Sequence, residues 1–242
     1  MIRKLIVIGN LFFFIVFVAS ACQKQEKKSD DGKNQYIASN TKESVIQPPS
    51  DNENDQEIDT LSSKTSEKFY KEISYPTPNI DASKKNTVEG VILHHTAEPT
   101  VERSLEILTS STRKVGTHVV IDTDGTRYIM CKPDVVTYHA GFSVLNGKEG
   151  CNYFTVGIEF QGNTIEKPLT EDQINSAIEY LLPLIAKYKI KLNAIVTHEM
   201  VRNAYKKRYP QKRCSGKVDI TQTEYTRFMK ALKQKINNKN KK

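Results

Sequence analysis

Three separated segments of this 242-residue chain carry side chains that zinc binds readily. They are Val91-Ile92-Leu93-His94-His95-Thr96-Ala97, Thr197-His198-Glu199 and Lys212-Arg213-Cys214-Ser215-Gly216. Zinc takes imidazole nitrogen and thiolate sulfur, and a catalytic site uses three protein ligands and leaves the fourth position to water or substrate. The pattern points to a metal-dependent hydrolase. Adjacent residues of a strand face opposite sides, so only one of His94 and His95 can reach the ion. The other is expected to be a satisfied histidine of the core or sheet face. Cys214, two residues after Lys212, is the expected thiolate ligand, against the alternatives of a small buried thiol or half a disulfide. Glu159 lies in the apolar run Val156–Phe160, where a carboxylate needs a polar partner or a metal beside it.

Elements of known period must hold these groups. Gly90–His95 and Phe154–Phe160 are short apolar runs that predict buried strands, and Ile195–Thr197 predicts a third. Thr117–Asp122 and Thr126–Cys131 predict a hairpin around Thr123-Asp124-Gly125. Val101–Lys114 reads as a helix with Val101, Leu105 and Leu108 on one face. Thr170–Tyr188 is the clearest helix: Thr170 and Gln173 form a capping box, Ile174, Ile178, Leu181 and Ile185 form the apolar stripe, and Pro183 is expected to kink it. Thr221–Ile236 predicts a closing helix. The expected fold class is α/β, a central mixed β-sheet flanked by helices, in one domain of ordinary size.

The N-terminus addresses location. Arg3 and Lys4 precede an apolar run from Leu5 to Ala21 that only Gly9-Asn10 interrupts, which is the pattern of an export signal. Val18-Ala19-Ser20-Ala21-Cys22 resembles a bacterial lipobox, which implies cleavage before Cys22 and lipidation of its thiol. A lipidated chain is anchored to a membrane without spanning it. The expected division is a signal peptide over 1–21, a lipid-anchored disordered linker over 22–85, a folded domain over 86–236 and a basic tail over 237–242. The linker is polar and lacks periodicity, so it buries too little surface to offset its chain entropy. Gln23 after the cysteine favours the outer membrane of the cell envelope.

The net charge of +8 falls on the folded domain and suits an anionic polymer or a membrane surface. The six lysines of Lys230–Lys242 read as a solvated tail, and no nucleic-acid-binding signature accompanies them. Nucleic acid is therefore not an expected partner, and a monomer is expected. Cys131 and Cys151 belong to an exported domain and could pair, a question that spacing leaves open.

Six motifs in order over about residues 88–233 resemble the zinc N-acetylmuramoyl-L-alanine amidases related to peptidoglycan-recognition proteins. They are Ile92-Leu93-His94-His95-Thr96-Ala97, the hairpin His118–Thr126, Tyr138-His139-Ala140-Gly141, Asn152 with Thr155-Val156-Gly157-Ile158-Glu159, His198, and Lys212-x-Cys214-x-Gly216. The resemblance implies that zinc is held by His94, His198 and Cys214 in a groove on one side of the sheet. It implies that Glu159 moves protons and Lys212 stabilises the oxyanion of the tetrahedral intermediate. It also implies that His139, Asn152 and His118 face or support the substrate, which would be peptidoglycan or soluble muropeptides. Thr117 stands where many relatives carry tyrosine, and Ser215 where they carry proline. The segment between His198 and Cys214 is long and reads as an inserted basic loop bearing Tyr205 and Tyr209. These departures keep a second reading open, a non-catalytic peptidoglycan-binding lipoprotein on the same fold.

Overall fold

The computed structural model describes residues 69–239 except 215, 217 and 218. The signal peptide, the lipidation site Cys22, most of the linker and the end of the basic tail lie outside the described residues. No helix among the described residues is long and apolar enough to cross a membrane.

Ten strands and four helices make up the described chain. β1 (Glu72–Ser74), β2 (Ile80–Lys85) and β3 (Gly90–His95) precede α1 (Val101–Thr109). The hairpin β4 (Val119–Ile121) and β5 (Arg127–Ile129) follows, then β6 (Val135–Thr137), β7 (Val144–Leu145), β8 (Lys148–Glu149) and β9 (Thr155–Phe160). α2 (Glu171–Tyr188), β10 (Ile195–Thr197), α3 (His198–Arg208) and α4 (Gln222–Lys239) complete it. Six strands form one mixed sheet in the order β1-β5-β4-β9-β3-β10. β4 and β5 are antiparallel, and β4, β9, β3 and β10 run parallel. The expected α/β class, with a mixed sheet between helices, is what is found.

The strands alternate between two packed faces. Val119, Ile121, Val156, Ile158 and Phe160 join Ile174, Ile178 and Leu181 of α2 and Phe228 and Leu232 of α4 in the main core. Phe160 and Phe228 meet edge to face at 6.0 Å, a favoured aromatic geometry. On the opposite face Val101, Leu105 and Leu108 of α1 cover Val120 and Met130. Every residue of β3 and β9 is buried, as expected of parallel strands covered on both sides. The capping box of Thr170 and Gln173 is present, and Pro183 lies inside α2.

Three boundaries differ from the sequence reading. Residues 72–85, read as linker, contain β1 and β2. β1 pairs with β5 in the register Glu72↔Arg127, and Glu72 binds the Arg127 Nε at 3.0 Å while Glu179 of α2 binds the same guanidinium. Partners far along the chain, not an apolar pattern of its own, hold this segment in place. α1 ends at Thr109, short of the predicted Lys114, because Thr77 and Asn79 take over its end. Thr77 Oγ1 donates to the Leu108 carbonyl at 2.7 Å, and Asn79 Nδ2 donates to those of Leu108, Ser110 and Val115. The Leu108 and Ser110 carbonyls are ones that a helix end leaves without intrahelical partners, and the Val115 carbonyl belongs to the loop beyond. The supposed basic loop after His198 is α3: Thr197 caps it through the Met200 N–H, Val201 and Tyr205 are buried one turn apart, and Lys206, Lys207 and Arg208 lie at its negative end.

Gly90 opens β3 where the 3₁₀ turn Leu192–Ala194 crosses close by. A Cβ there would sit 2.7 Å from the Ala194 backbone oxygen and 3.0 Å from Leu145 Cδ2. Gly90→Ala is expected to destabilise the domain by about 1–3 kcal/mol, seen as a Tm lowered by several degrees in thermal unfolding.

A candidate metal centre in a histidine-lined cleft

β3 and β9 pair residue for residue, His94 against Glu159. Register partners on adjacent strands share a face about 4.8 Å apart, so both side chains rise on the side away from the main core. His95 faces the other way, and its Nδ1 accepts from the Thr164 N–H at 3.1 Å and lies 2.9 Å from the Thr164 hydroxyl. It has the structural place expected of the second histidine of the pair. His198 is the first residue of α3, directly after β10, and β10 lies beside β3. The sheet order thereby carries His198 to His94, with ring centroids 5.0 Å apart.

Asp219 completes the group. Its Oδ2 lies 2.8 Å from His198 Nδ1 and its Oδ1 3.6 Å from His94 Nδ1. One ligand atom from each of His94, His198 and Asp219 falls within 4.8 Å of the others, a candidate metal site. Two imidazole nitrogens and a carboxylate oxygen form a donor set that zinc accepts, and a carboxylate with no solvent exposure needs positive charge beside it.

The third member of this group is therefore Asp219 and not Cys214, which lies outside it, half-buried with a free thiol. Asp219 is the residue that the sequence reading missed. The available signal was spacing: Lys217-Val218-Asp219 repeats the Lys-x-ligand pattern of Lys212-Arg213-Cys214. Lys212 does not line the cleft. It is exposed, with its Nζ 4.5 Å from the centre of the Tyr209 ring. Lys217 falls outside the described residues.

The cleft of about 470 Å³ is lined by His94, His139, His198, Glu159, Asn152 and Tyr138, with Lys114, Val115 and Gly141 at its edges. Glu159 is 6 % exposed, and its Oε2 is buried with no hydrogen-bond partner among the described residues. A buried, unpaired carboxylate oxygen facing a cleft is a group held ready for a proton or a substrate donor.

His139 lines the cleft, but its ring nitrogens are directed at protein. Its Nδ1 lies 3.3 Å from His94 Nε2 and its Nε2 3.4 Å from the Thr155 carbonyl. If His94 offers Nδ1 to a metal, its Nε2–H donates to His139, an arrangement that fixes the tautomer and aim of a ligand. Burial, aided by the neighbouring His94, His118 and His198, holds His139 neutral, with its pKa well below the usual histidine range. Gly157 makes room for this ring, since a Cβ there would come within 2.7 Å of it. Asn152 Oδ1 accepts from the His139 and Ala140 N–H groups at 3.0 and 2.7 Å and so fixes the turn that presents His139 and Gly141.

His118, expected to face or support the substrate, does not line the cleft. It is fully buried; its Nδ1 accepts from the Gly157 N–H at 3.0 Å and its Nε2 lies 2.9 Å from the Val135 carbonyl. It stands edge-on to His139 at 5.6 Å and supports that ring from behind. Thr117 is also fully buried, and its Oγ1 lies close to where a Gly157 Cβ would be. Cys131, Cys151 and Cys214 are free thiols, so the pairing left open for Cys131 and Cys151 is not formed.

Burial pushes the His118 pKa down to about 4 from 6.5. Between those values the unfolded chain binds a proton that the folded one refuses, so stability falls as pH drops from about 6.5 towards 4 and the loss levels off below that. The expected loss is about 3 kcal/mol. Urea unfolding with chelator across pH 4–7 should show a steeper loss for the wild type than for His118→Gln.

Residues 84–217 match the family model described as N-acetylmuramoyl-L-alanine amidase. The chain is 35% identical over 88 residues to the 1,6-anhydro-N-acetylmuramyl-L-alanine amidase AmpD of Haemophilus influenzae, covering 35% of this chain and 46% of that one. It is 35% identical over 65 residues to the AmpD of Enterobacter cloacae, covering 27% and 34%. The chain thus spans less than half the length of the curated relatives it matches. Among solved structures, a selenomethionine AmpD derivative aligns with a TM-score of 0.50 at 19% identity, over 66% of this chain and 93% of that one. A mutant form of PlyL aligns with a TM-score of 0.51 at 13% identity, over 69% and 99%. At these identities the two structures share a fold with this chain.

Proposed function

We propose that this chain, which belongs to the N-acetylmuramoyl-L-alanine amidase family, is a zinc hydrolase that cleaves the amide bond between N-acetylmuramic acid and the L-alanine of the peptidoglycan stem peptide. The observation that carries the reading is the group of His94, His198 and Asp219, with Glu159 and its unpaired Oε2 lining the same cleft as the two histidines. Bound there, zinc would lower the pKa of water and polarise the amide carbonyl.

The chain's own residues account for the rest. Glu159, beside His94 by strand register, takes the proton of the attacking water and passes one to the departing nitrogen. His139, against the His94 Nε2, keeps the His94 ring aimed with its Nδ1 towards Asp219. Asn152, with its oxygen committed to the His139 turn, leaves its amide nitrogen for a substrate carbonyl. By the spacing argument, the oxyanion-stabilising role first given to Lys212 passes to Lys217, two residues before the ligand Asp219. The N-terminal pattern supports a lipid anchor at Cys22 and a place in the bacterial envelope, on the outer membrane. Radiolabelled palmitate incorporated into the wild type but not into Cys22→Ala would support this, and equal labelling would remove it.

The full-length chain is to be incubated with zinc and peptidoglycan and the products read by mass spectrometry. Free stem peptides beginning with L-alanine are expected, lost in His94→Ala and lowered by roughly 10²–10⁴-fold in Glu159→Gln. Intact wall with protein bound to it would establish the recognition module in its place. For the metal, Asp219→Ala should weaken zinc by at least about 100-fold and Cys214→Ser should leave it within about twofold, measured by competition with a chromophoric chelator. The reverse order would reinstate the thiolate.

A further inference from the structure

Phe142 is 62 % exposed, directly after the cleft residue Gly141. A solitary exposed aromatic needs no explanation, but this one is neither solitary nor loose. Its ring stacks on Tyr205 with centroids 5.2 Å apart and planes within 19°, and Tyr205 in turn meets Tyr209 at 4.8 Å. Tyr205 is 4 % exposed, so one face of Phe142 is covered and the other looks outward. The loop that carries it is pinned on both sides. Asn152 holds the backbone of His139 and Ala140, and the Ser143 hydroxyl donates to the Gly141 carbonyl while accepting the Cys151 N–H, both at 3.1 Å. The ring is therefore a prepared flat surface.

We infer that this aromatic stack is a platform for the polysaccharide strand, holding a pyranose ring adjacent to the one that bears the scissile amide. The inference rests on the amidase reading for the identity of the polymer. Tyr205 lies seven residues along α3 from the ligand His198, roughly 10 Å at the rise of an α-helix, about the reach of one disaccharide. One face of a pyranose is lined with C–H groups of slight positive charge, which complement the negative face of an aromatic ring. The rim is mixed in sign. Lys212 sits over Tyr209, while Glu149 accepts from the Tyr209 hydroxyl at 2.6 Å and lies 3.3 Å from Arg208. Such a rim offers donors and acceptors to neutral hydroxyl and acetamido groups, whereas an acidic peptide would call for unpaired positive charge. The helix that carries Tyr205 and ends at Tyr209 thus has a use in this site: it extends the cleft along the sugar chain and turns the enzyme towards polymer.

The test compares full-length wild type, Phe142→Ala and Phe142→Trp on two substrates, soluble glycan strands bearing stem peptides and a muropeptide with a single N-acetylmuramic acid. Phe142→Ala should raise KM on the strands about tenfold with kcat within twofold, leave the single-sugar substrate unchanged and keep its Tm, and Phe142→Trp should retain wild-type KM. A peptide-free tetrasaccharide of N-acetylglucosamine, titrated by calorimetry, should bind the wild type and bind Phe142→Ala about tenfold more weakly. Equal losses on both substrates, or tetrasaccharide affinities that do not differ, overturn the platform. A wild type that releases peptide from neither substrate overturns the amidase reading instead, while the tetrasaccharide titration still decides the platform.

Discussion

The pairing of β3 with β9 is the constraint from which the site follows. In-register partners put His94 and Glu159 on one face at the spacing of adjacent strands. A slip of one residue in either strand would turn its His94 or Glu159 into the opposite layer, where Leu93, Ile158 and Phe160 now join the core with α2 and α4. The same core that makes the sheet stable therefore fixes which histidine and which carboxylate face the cleft. The neighbouring strand β10 adds the third part, because α3 starts at its end with His198 already beside His94.

Buried polarity is concentrated on that face and is arranged in depth. Asp219 has no exposure and stands between two imidazoles. Behind His94 come His139 and then His118, each held by the next and finally by backbone groups of β9 and Val135. An isolated buried imidazole would be a poor choice of core residue. Three in a row, each with defined neighbours, form a rigid backing that a ligand-bearing histidine needs. Gly157 belongs to this design by its lack of a side chain, since the His139 ring occupies the space that a Cβ would take.

The segment before β3 serves the cleft as well as the sheet edge. Thr77 and Asn79 satisfy the end of α1 and hold the loop that brings Lys114 and Val115 to the cleft wall. Lys114 takes a positive φ of 47° there, a conformation that a non-glycine residue adopts only when its surroundings impose it. On the opposite side Asn152 fixes His139 to Gly141, so both walls are set by side-chain amides bonded to backbone groups.

Much of this was legible in the chain itself. The buried strands, the Asp124-Gly125 hairpin and the capped helix at Thr170 are local signals, because period, turn chemistry and caps are properties of adjacent residues. His94, His198, Glu159, His139 and Asn152 were all singled out from short motifs, and all five line the cleft. What failed were the choices that depend on which distant segments meet. Cys214 and Asp219 both follow a lysine at the same spacing, and only the packing of the last segment against β3 and α3 brings Asp219 to the two imidazoles. His118 carried a motif as good as that of His139, yet its place just before β4 buries it behind the cleft. Residues 72–85 lack any apolar pattern, and pairing with β5 and β6 makes strands of Glu72–Ser74 and Ile80–Lys85. The sequence by itself determined the chemical types available and the elements that carry them. The tertiary structure decided which three of them converge, because convergence is set by sheet order and register between segments that share no local signal.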